Sequence, residues 1–377
     1  MQKEKIIQEL EELKNDNRFR TIKTNDKSLY NFSSNDYLGL AHDKDLLQKF
    51  YQNYSFDNYK LSSSSSRLID GSYLTVMRLE KKVEEIYGKP CLVFNSGFDA
   101  NSSVIETFFD KKSLIITDRL NHASIYEGCI NSRAKILRYK HLDVSALEKL
   151  LKKYSEDYDD ILVVTETVYS MDGDCAEIKQ ICDLKEKYNF NLMVDEAHSY
   201  GVYGYGIAYN EKLIDKIDFL VIPLGKAGAS VGAYVICDEV YKNYLINKSK
   251  KFIYSTALPP VNNLWNLFVL ENLVNFQDRI EKFQELVTFS LSTLKKLNLK
   301  TKSTSHIISI IIGDNLNTVN LSNNLKELGY LAYAIKEPTV PKDTARLRIS
   351  LTADMKKEDI ETFFKTLKAE MKKIGVI

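Results

Sequence analysis

Cysteine is scarce in this 377-residue chain: Cys91, Cys129, Cys175, Cys182 and Cys237 are odd in number, scattered, and form no C-x-x-C pair. Neither a disulfide framework nor a thiolate metal site is expected, and a reducing cytoplasm fits. An excess of one charge is also missing. With 52 basic against 51 acidic side chains, no net positive field exists to hold a polyphosphate backbone, so nucleic acid is not an expected partner. Long apolar runs are absent as well: FLVIPLG and HIISIIIG stop far short of the roughly 18 residues needed to span a bilayer. The opening MQKEKIIQELEELKND interleaves charge with Ile6, Ile7, Leu10 and Leu13 at helical spacing, which predicts a surface helix rather than a secretion signal. No membrane association is expected. His42, His122, His141, His198 and His306 show no i, i+4 or H-E-x-x-H spacing, so a zinc site is not expected either.

What the chain has is ordinary globular composition, 44% hydrophobic and 27% charged, and enough length for two or three domains. From residue 90 onward, short apolar runs alternate with amphipathic stretches. The runs are CLVF (91–94), SLIITD (113–118), KILRY (135–139), ILVVTET (161–167), NLMVDEA (191–197), FLVIPLG (219–225) and GAYVIC (232–237). Apolar runs without in/out alternation suit strands covered on both faces, as in a mostly parallel sheet with crossover helices. An α/β domain is predicted over 51–260. The last 120 residues mix helices with the strands SHIISIIIG, YLAYAI and RLRISLT, which predicts a smaller α+β domain over 261–377, joined by residues 1–50.

Ligands of open α/β sheets gather beyond the carboxyl ends of strands. Three such ends stand out. Asp195 and His198 follow NLMV; Lys226 lies between glycines in VIPLGKAGAS; Asn95, Ser96 and Gly97 open a helix in LVFNSGFDAN. A lysine leaving a buried strand can be held as the neutral amine that condenses with an aldehyde. A carboxylate against a pyridine nitrogen strengthens an electron sink, and a Ser-Gly turn at a helix head offers N–H groups to a phosphate. Together these meet the three needs of pyridoxal 5′-phosphate (PLP): tether, ring-nitrogen partner and phosphate cradle. Two other matches fail. DEAH (195–198) is preceded by no G-x-x-x-x-G-K-[ST] loop, and GVYGYG (201–206) lacks G-x-G-x-x-G spacing. Arginine is sparse, ten of the 52 basic residues, yet Arg346 and Arg348 alternate along a predicted strand and so share a face. Their planar forks suit a substrate carboxylate.

With these motifs in view, the sequence resembles the α-oxoamine synthases, PLP-dependent acyltransferases of the aspartate-aminotransferase fold (PLP fold type I). The resemblance covers nearly the whole chain, through NFSSNDYLGLA (31–41), SSRLIDGS (65–72), LVFNSGFDAN (92–101), DRLNHAS (118–124), VVTETVYSMDGD (163–174), LMVDEAHSYGVYG (192–204), LGKAGASVGAYV (224–235), YSTALPP (254–260) and EPTVPKDTARLRISLTA (337–353). It implies that Lys226 tethers PLP, Asp195 pairs with the ring nitrogen, His122 stacks on the ring and His198 bonds its phenolic oxygen. Ser96, Gly97 and Phe98 would bind the phosphate, and Thr256 would reach the phosphate of the other subunit of a homodimer. Asn35 and Arg348 would hold the amino-acid carboxylate, with Ser170 close to the cofactor. Pro223 departs from the family, which commonly has a hydroxyl residue there; Ser62, Val76 and Ala227–Gly228–Ala229 depart too.

The C-terminal block EPTVPKDTARLRISLTA is most similar to the branch that condenses L-alanine with a pimeloyl thioester, on CoA or a carrier protein, with loss of CO2, in biotin biosynthesis. Amino acid and acyl thioester are the partners this implies. Sister reactions that start from glycine, as in glycine C-acetyltransferase, share the cofactor residues. Some chains of this fold are non-catalytic scaffolds without the lysine; Lys226 argues against that reading.

Overall fold

The computed structural model describes residues 2–22, 24, 26, 28–55 and 60–377. The chain divides into two compact units. One comprises Asp36–Tyr169 and Cys175–Glu281; the other comprises residues 1–35, Ser170–Asp174 and Lys282–Ile377.

The larger unit is built on a seven-stranded sheet from the apolar runs read above: β1 (Cys91–Phe94), β2 (Leu114–Asp118), β3 (Lys135–Tyr139), β4 (Ile161–Glu166), β5 (Asn191–Asp195), β6 (Phe219–Pro223) and β7 (Ala233–Cys237). Their order across the sheet is β1-β7-β6-β5-β4-β2-β3. Only β7 runs against its neighbours, antiparallel to β1 and β6, so the mostly parallel architecture expected from the unalternated runs is present. Every residue of β1, β2, β4, β6 and β7 is buried. Each fully buried Val, Leu or Ile contributes about 1.5–3 kcal/mol, and that density of aliphatic contact fixes the sheet rigidly under whatever its rim carries. Because β1, β2, β4, β5 and β6 share one direction, their carboxyl ends deliver Asn95, Asp118, Glu166, Asp195 and Leu224 to one edge.

The smaller unit has a three-stranded antiparallel sheet of β8 (Ile307–Gly313), β9 (Tyr333–Ile335) and β10 (Ala345–Ser350), in the order β9-β10-β8. Leu347 and Ile349 pair with Ile310 and Ile308 on one face, while Arg346 and Arg348 pair with Ile311 and Ser309 on the other. The two arginines therefore do share a face. The predicted single strand YLAYAI is two pieces. Tyr330–Leu331 pairs with Tyr30–Asn31, and after buried Ala332 the chain joins β10 through Tyr333–Ile335.

The units divide at 35 and 281 rather than at 50 and 260. Aromatic packing is the reason: Phe50, in the helix Lys44–Asn53, sets its ring 5.1 Å from Trp265 and 5.5 Å from Phe268, in the helix Pro260–Asn272. Both segments thereby join the large unit. The excursion Ser170–Asp174 is drawn into the small unit by Arg346 Nη1 on Asp172 Oδ1 (2.5 Å), Arg348 Nε on the Ser170 carbonyl (2.6 Å) and Thr304 N–H on the Gly173 carbonyl (2.9 Å). Gly173 has φ +69°, and a Cβ there would lie 1.8 Å from the Ile307 carbonyl oxygen, so only glycine permits this approach. The helix Gln2–Asn15 buries none of its residues, as its charge pattern predicts. No helix among the described residues is long and apolar enough to cross a membrane.

Candidate active site

At the carboxyl edge of the large sheet lies a cavity of about 240 Å3. Ser96, Gly97 and Phe98 reach it from the loop after β1, His122 from the loop after β2, Asp195 and His198 from β5 and its sequel, and Lys226 from the turn after β6. Residues from four separate stretches of sequence thus converge, as the strand-end reading expects.

Asp195 is 3% exposed, and its carboxylate accepts from Asn101 Nδ2 at 2.6 Å and from the Ala197 N–H at 2.7 Å. Asn101 also donates to Ser124 Oγ at 3.0 Å. With that lone pair occupied, Ser124 Oγ is free to donate to His122 Nδ1, 2.8 Å away, and the Ser124 N–H points to the same nitrogen at 3.2 Å. Nδ1 is therefore the acceptor, and the neutral His122 ring carries its proton on Nε2. Burial lowers the His122 pKa, with Asp195 opposing and Lys226 reinforcing, so a neutral, flat aromatic ring faces the cavity at neutral pH. The His122 N–H donates to Glu166 Oε1. His198, 4% exposed, has Nδ1 2.6 Å from the Tyr37 hydroxyl, which fixes its ring and leaves Nε2 as the other polar atom.

The helix Gly97–Phe108 begins at the cavity. Ser96 caps it, its Oγ accepting from the Asp99 N–H at 3.0 Å. The first intrahelical bond is Ala100 N–H to the Ser96 carbonyl, so the Gly97 and Phe98 N–H groups precede the ladder, at the positive end of the helix dipole. Pro223 lines the same cavity, and a Cβ on Gly97 would lie 2.7 Å from its ring carbons. Here the proline ring occupies the space a side chain at 97 would need, which ties the departure at 223 to the glycine.

These groups fit PLP: an amine for its aldehyde, a carboxylate for its ring nitrogen, a neutral ring for its face, and paired N–H groups at a helix head for its phosphate. Asn101 Oδ1, buried beside the cavity, has no hydrogen-bond partner among the described residues, as befits a site shaped for a polar occupant. Other expected residues lie elsewhere. Thr256 is exposed and does not line the cavity; its carbonyl accepts from Asn95 Nδ2 at 2.7 Å. Asn35, Ser170 and Arg348 fall in the small unit, where Arg348, 7% exposed, also donates to Ser350 Oγ at 2.7 Å.

Glu166, Asn101, Ser124 and Tyr37 were not singled out from the sequence. Glu166 ends β4 as Asp195 ends β5, so the same strand-end rule reaches it, and Asn101 follows Gly97 by one helical turn. Nothing in the sequence alone marks Ser124 or Tyr37.

The chain matches the family Aminotransferase class I and II over residues 27–367. It is 41% identical over 376 residues to a protein of Pasteurella multocida (strain Pm70) provisionally named 8-amino-7-oxononanoate synthase, covering 96% of this chain and 97% of that one. Among solved structures, a serine palmitoyltransferase from S. paucimobilis with PLP and myriocin bound has a TM-score of 0.89 at 25% identity, covering 99% and 98% of the two chains. An 8-amino-7-oxononanoate synthase from Francisella tularensis has a TM-score of 0.76 at 29% identity, covering 92% of this chain and 99% of its own. The chain therefore belongs to the class I and II aminotransferase family of PLP-dependent enzymes, and within it to the α-oxoamine synthases.

Proposed function

We propose that this enzyme condenses L-alanine with a pimeloyl thioester, carried on CoA or a carrier protein, to give 8-amino-7-oxononanoate, CO2 and free thiol, in biotin biosynthesis. The observation that carries the reading is the convergence of Lys226, Asp195, His122, His198 and the head of the helix Gly97–Phe108 on one cavity. The choice of alanine and pimeloyl substrates draws on the names of the relatives and on the C-terminal block.

PLP, when bound, supplies an electron sink for negative charge at the amino-acid α carbon. Lys226 Nζ would tether the cofactor through its aldehyde, and as a free amine it would be the base that takes the substrate α proton and later returns one. The Asp195 carboxylate holds the proton on the ring nitrogen, and Asn101 and the Ala197 N–H orient that carboxylate. His122 covers one face of the ring and excludes water from it. His198, set by Tyr37, bonds the phenolic oxygen. The Ser96–Gly97–Phe98 turn takes the phosphate, and Arg348 and Asn35 take the substrate carboxylate, with Ser170 beside the cofactor. The active unit is a homodimer in which Thr256 serves the phosphate of the second copy, and a cytoplasmic setting suits the cysteine-poor, charge-balanced chain.

The sister reactions differ only in amino acid and acyl chain, and the likeness to serine palmitoyltransferase keeps a longer acyl donor in view. A matrix of alanine, glycine and serine against pimeloyl-CoA, acetyl-CoA and palmitoyl-CoA separates them. Turnover with alanine and pimeloyl-CoA is expected; turnover restricted to another pair would reassign the substrates while leaving the cofactor site intact.

A further inference from the structure

The small unit has a cavity of its own, about 850 Å3 in volume, that shares no lining residue with the cofactor cavity. Ligand pockets of this size are mostly apolar with a few placed polar groups. Leu291 and Leu294, from the helix Gln277–Lys296, join Leu299 and Ile311 in an aliphatic wall. Ile311 is 46% exposed, so part of that wall is left to solvent.

Three exposed cations line the same cavity, Lys295, Lys300 and Lys302. Lys295 has a local reason to be there, because it sits in the last turn of its helix, where the dipole favours positive charge. Lys300 and Lys302 lie beyond that turn. Asp172 is the acidic side chain of the lining, and Arg346 already engages it, so the balance of charge around the cavity is positive. A buried group points the same way. Ser309 is 4% exposed and lines the cavity, and its Oγ has no hydrogen-bond partner among the described residues. Its backbone is satisfied, the N–H by Ser303 Oγ and the carbonyl by Thr301 Oγ1, so only the hydroxyl is left for an outside oxygen.

We propose that this cavity binds an aliphatic carboxylate. The chain lies on the leucine and isoleucine wall, the lysines neutralise the head, and Ser309 Oγ donates to a ligand oxygen.

Calorimetric titration of dodecanoate, below its micelle concentration, into the full-length PLP-loaded enzyme tests this. Saturable binding is expected, tightening by about fourfold per methylene from octanoate to dodecanoate, with dodecylamine failing to bind. The double variant K300E/K302E changes only exposed side chains and should weaken dodecanoate at least tenfold at an unchanged melting temperature; Ser309→Ala should weaken it severalfold. The cofactor's absorption should not change on binding, and Lys226→Ala should bind dodecanoate equally well, so this result stands apart from the fate of the proposed reaction. No saturable binding, equal binding of the amine, an unaffected K300E/K302E, or loss of binding in Lys226→Ala would each overturn the proposal.

Discussion

Glu166 and Asp195 stand opposite one another at the ends of neighbouring parallel strands, two carboxyl groups 2% and 3% exposed in one cavity. Burial raises the Glu166 pKa well above the ordinary carboxylate range, and the adjacent Asp195 raises it further. Two side chains of one chemistry thus take different tasks. Burial favours the protonated form of Glu166, whose Oε1 accepts the His122 N–H, while Asp195 is the carboxylate proposed above for the ring nitrogen.

That difference predicts opposite sensitivities. Glu166→Gln keeps a neutral group and an oxygen for the His122 N–H, so kcat/KM should fall by less than about tenfold with PLP still bound. Asp195→Asn should cost on the order of 10^2–10^3-fold, as loss of a placed electrostatic partner does. Steady-state kinetics on both variants decides; equal losses would mean that Glu166 works as an anion.

Glu196, fully buried with Oε1 accepting from the Ala208 N–H at 2.8 Å, gives a pH prediction. Burial pushes its pKa up to about 8 from 4.5. The folded state therefore holds the proton more tightly than the unfolded chain. Its contribution is complete below pH 4.5 and is lost as pH rises toward 8, with a slope of up to about 1.4 kcal/mol per pH unit. Glu196→Gln removes this loss, so in urea unfolding the variant should gain stability relative to wild type by a few kcal/mol across that window. A difference that stays flat with pH would contradict it.

Arg348 is pinned by the Ser170 carbonyl and Ser350 Oγ, which holds its planar fork in one orientation. Arg348→Lys keeps the charge and loses the fork. The KM for the amino acid should rise at least tenfold while the cofactor's visible spectrum is unchanged; an unaltered KM would remove Arg348 from the carboxylate site.

Tyr37→Phe deletes the 2.6 Å partner of His198 Nδ1. A hydrogen bond of this kind contributes about 1 kcal/mol. The variant should bind PLP severalfold more weakly and shift its visible absorption band, whereas an identical band would mean that His198 does not touch the cofactor.

Most strands of the large sheet were legible because they are buried on both faces, as CLVF is at 91–94; KILRY, the edge strand at 135–139, is partly exposed yet falls where it was read. Boundaries were less so. The unit divisions at 35 and 281 follow from Phe50 meeting Trp265 and Phe268, contacts between residues over 200 positions apart that no local pattern encodes. Asp195, His198 and Lys226 were visible because each ends or follows an apolar strand. Ser124 and Tyr37 act through other side chains, and their importance exists only once the chain is folded. Glu166 was within reach of the strand-end rule, but the rise in its pKa comes first from burial and then from Asp195, 29 residues later in the chain, and neither is encoded locally.

The proposed chemistry requires the Lys226 amine to form the carbon–nitrogen bond to the PLP aldehyde. Borohydride reduction of the PLP-loaded enzyme, followed by peptide mass spectrometry, reads out that bond. Added cofactor mass is expected on the peptide containing Lys226, and none in Lys226→Ala. Cofactor mass on a different lysine of the native enzyme, or on none, would contradict it.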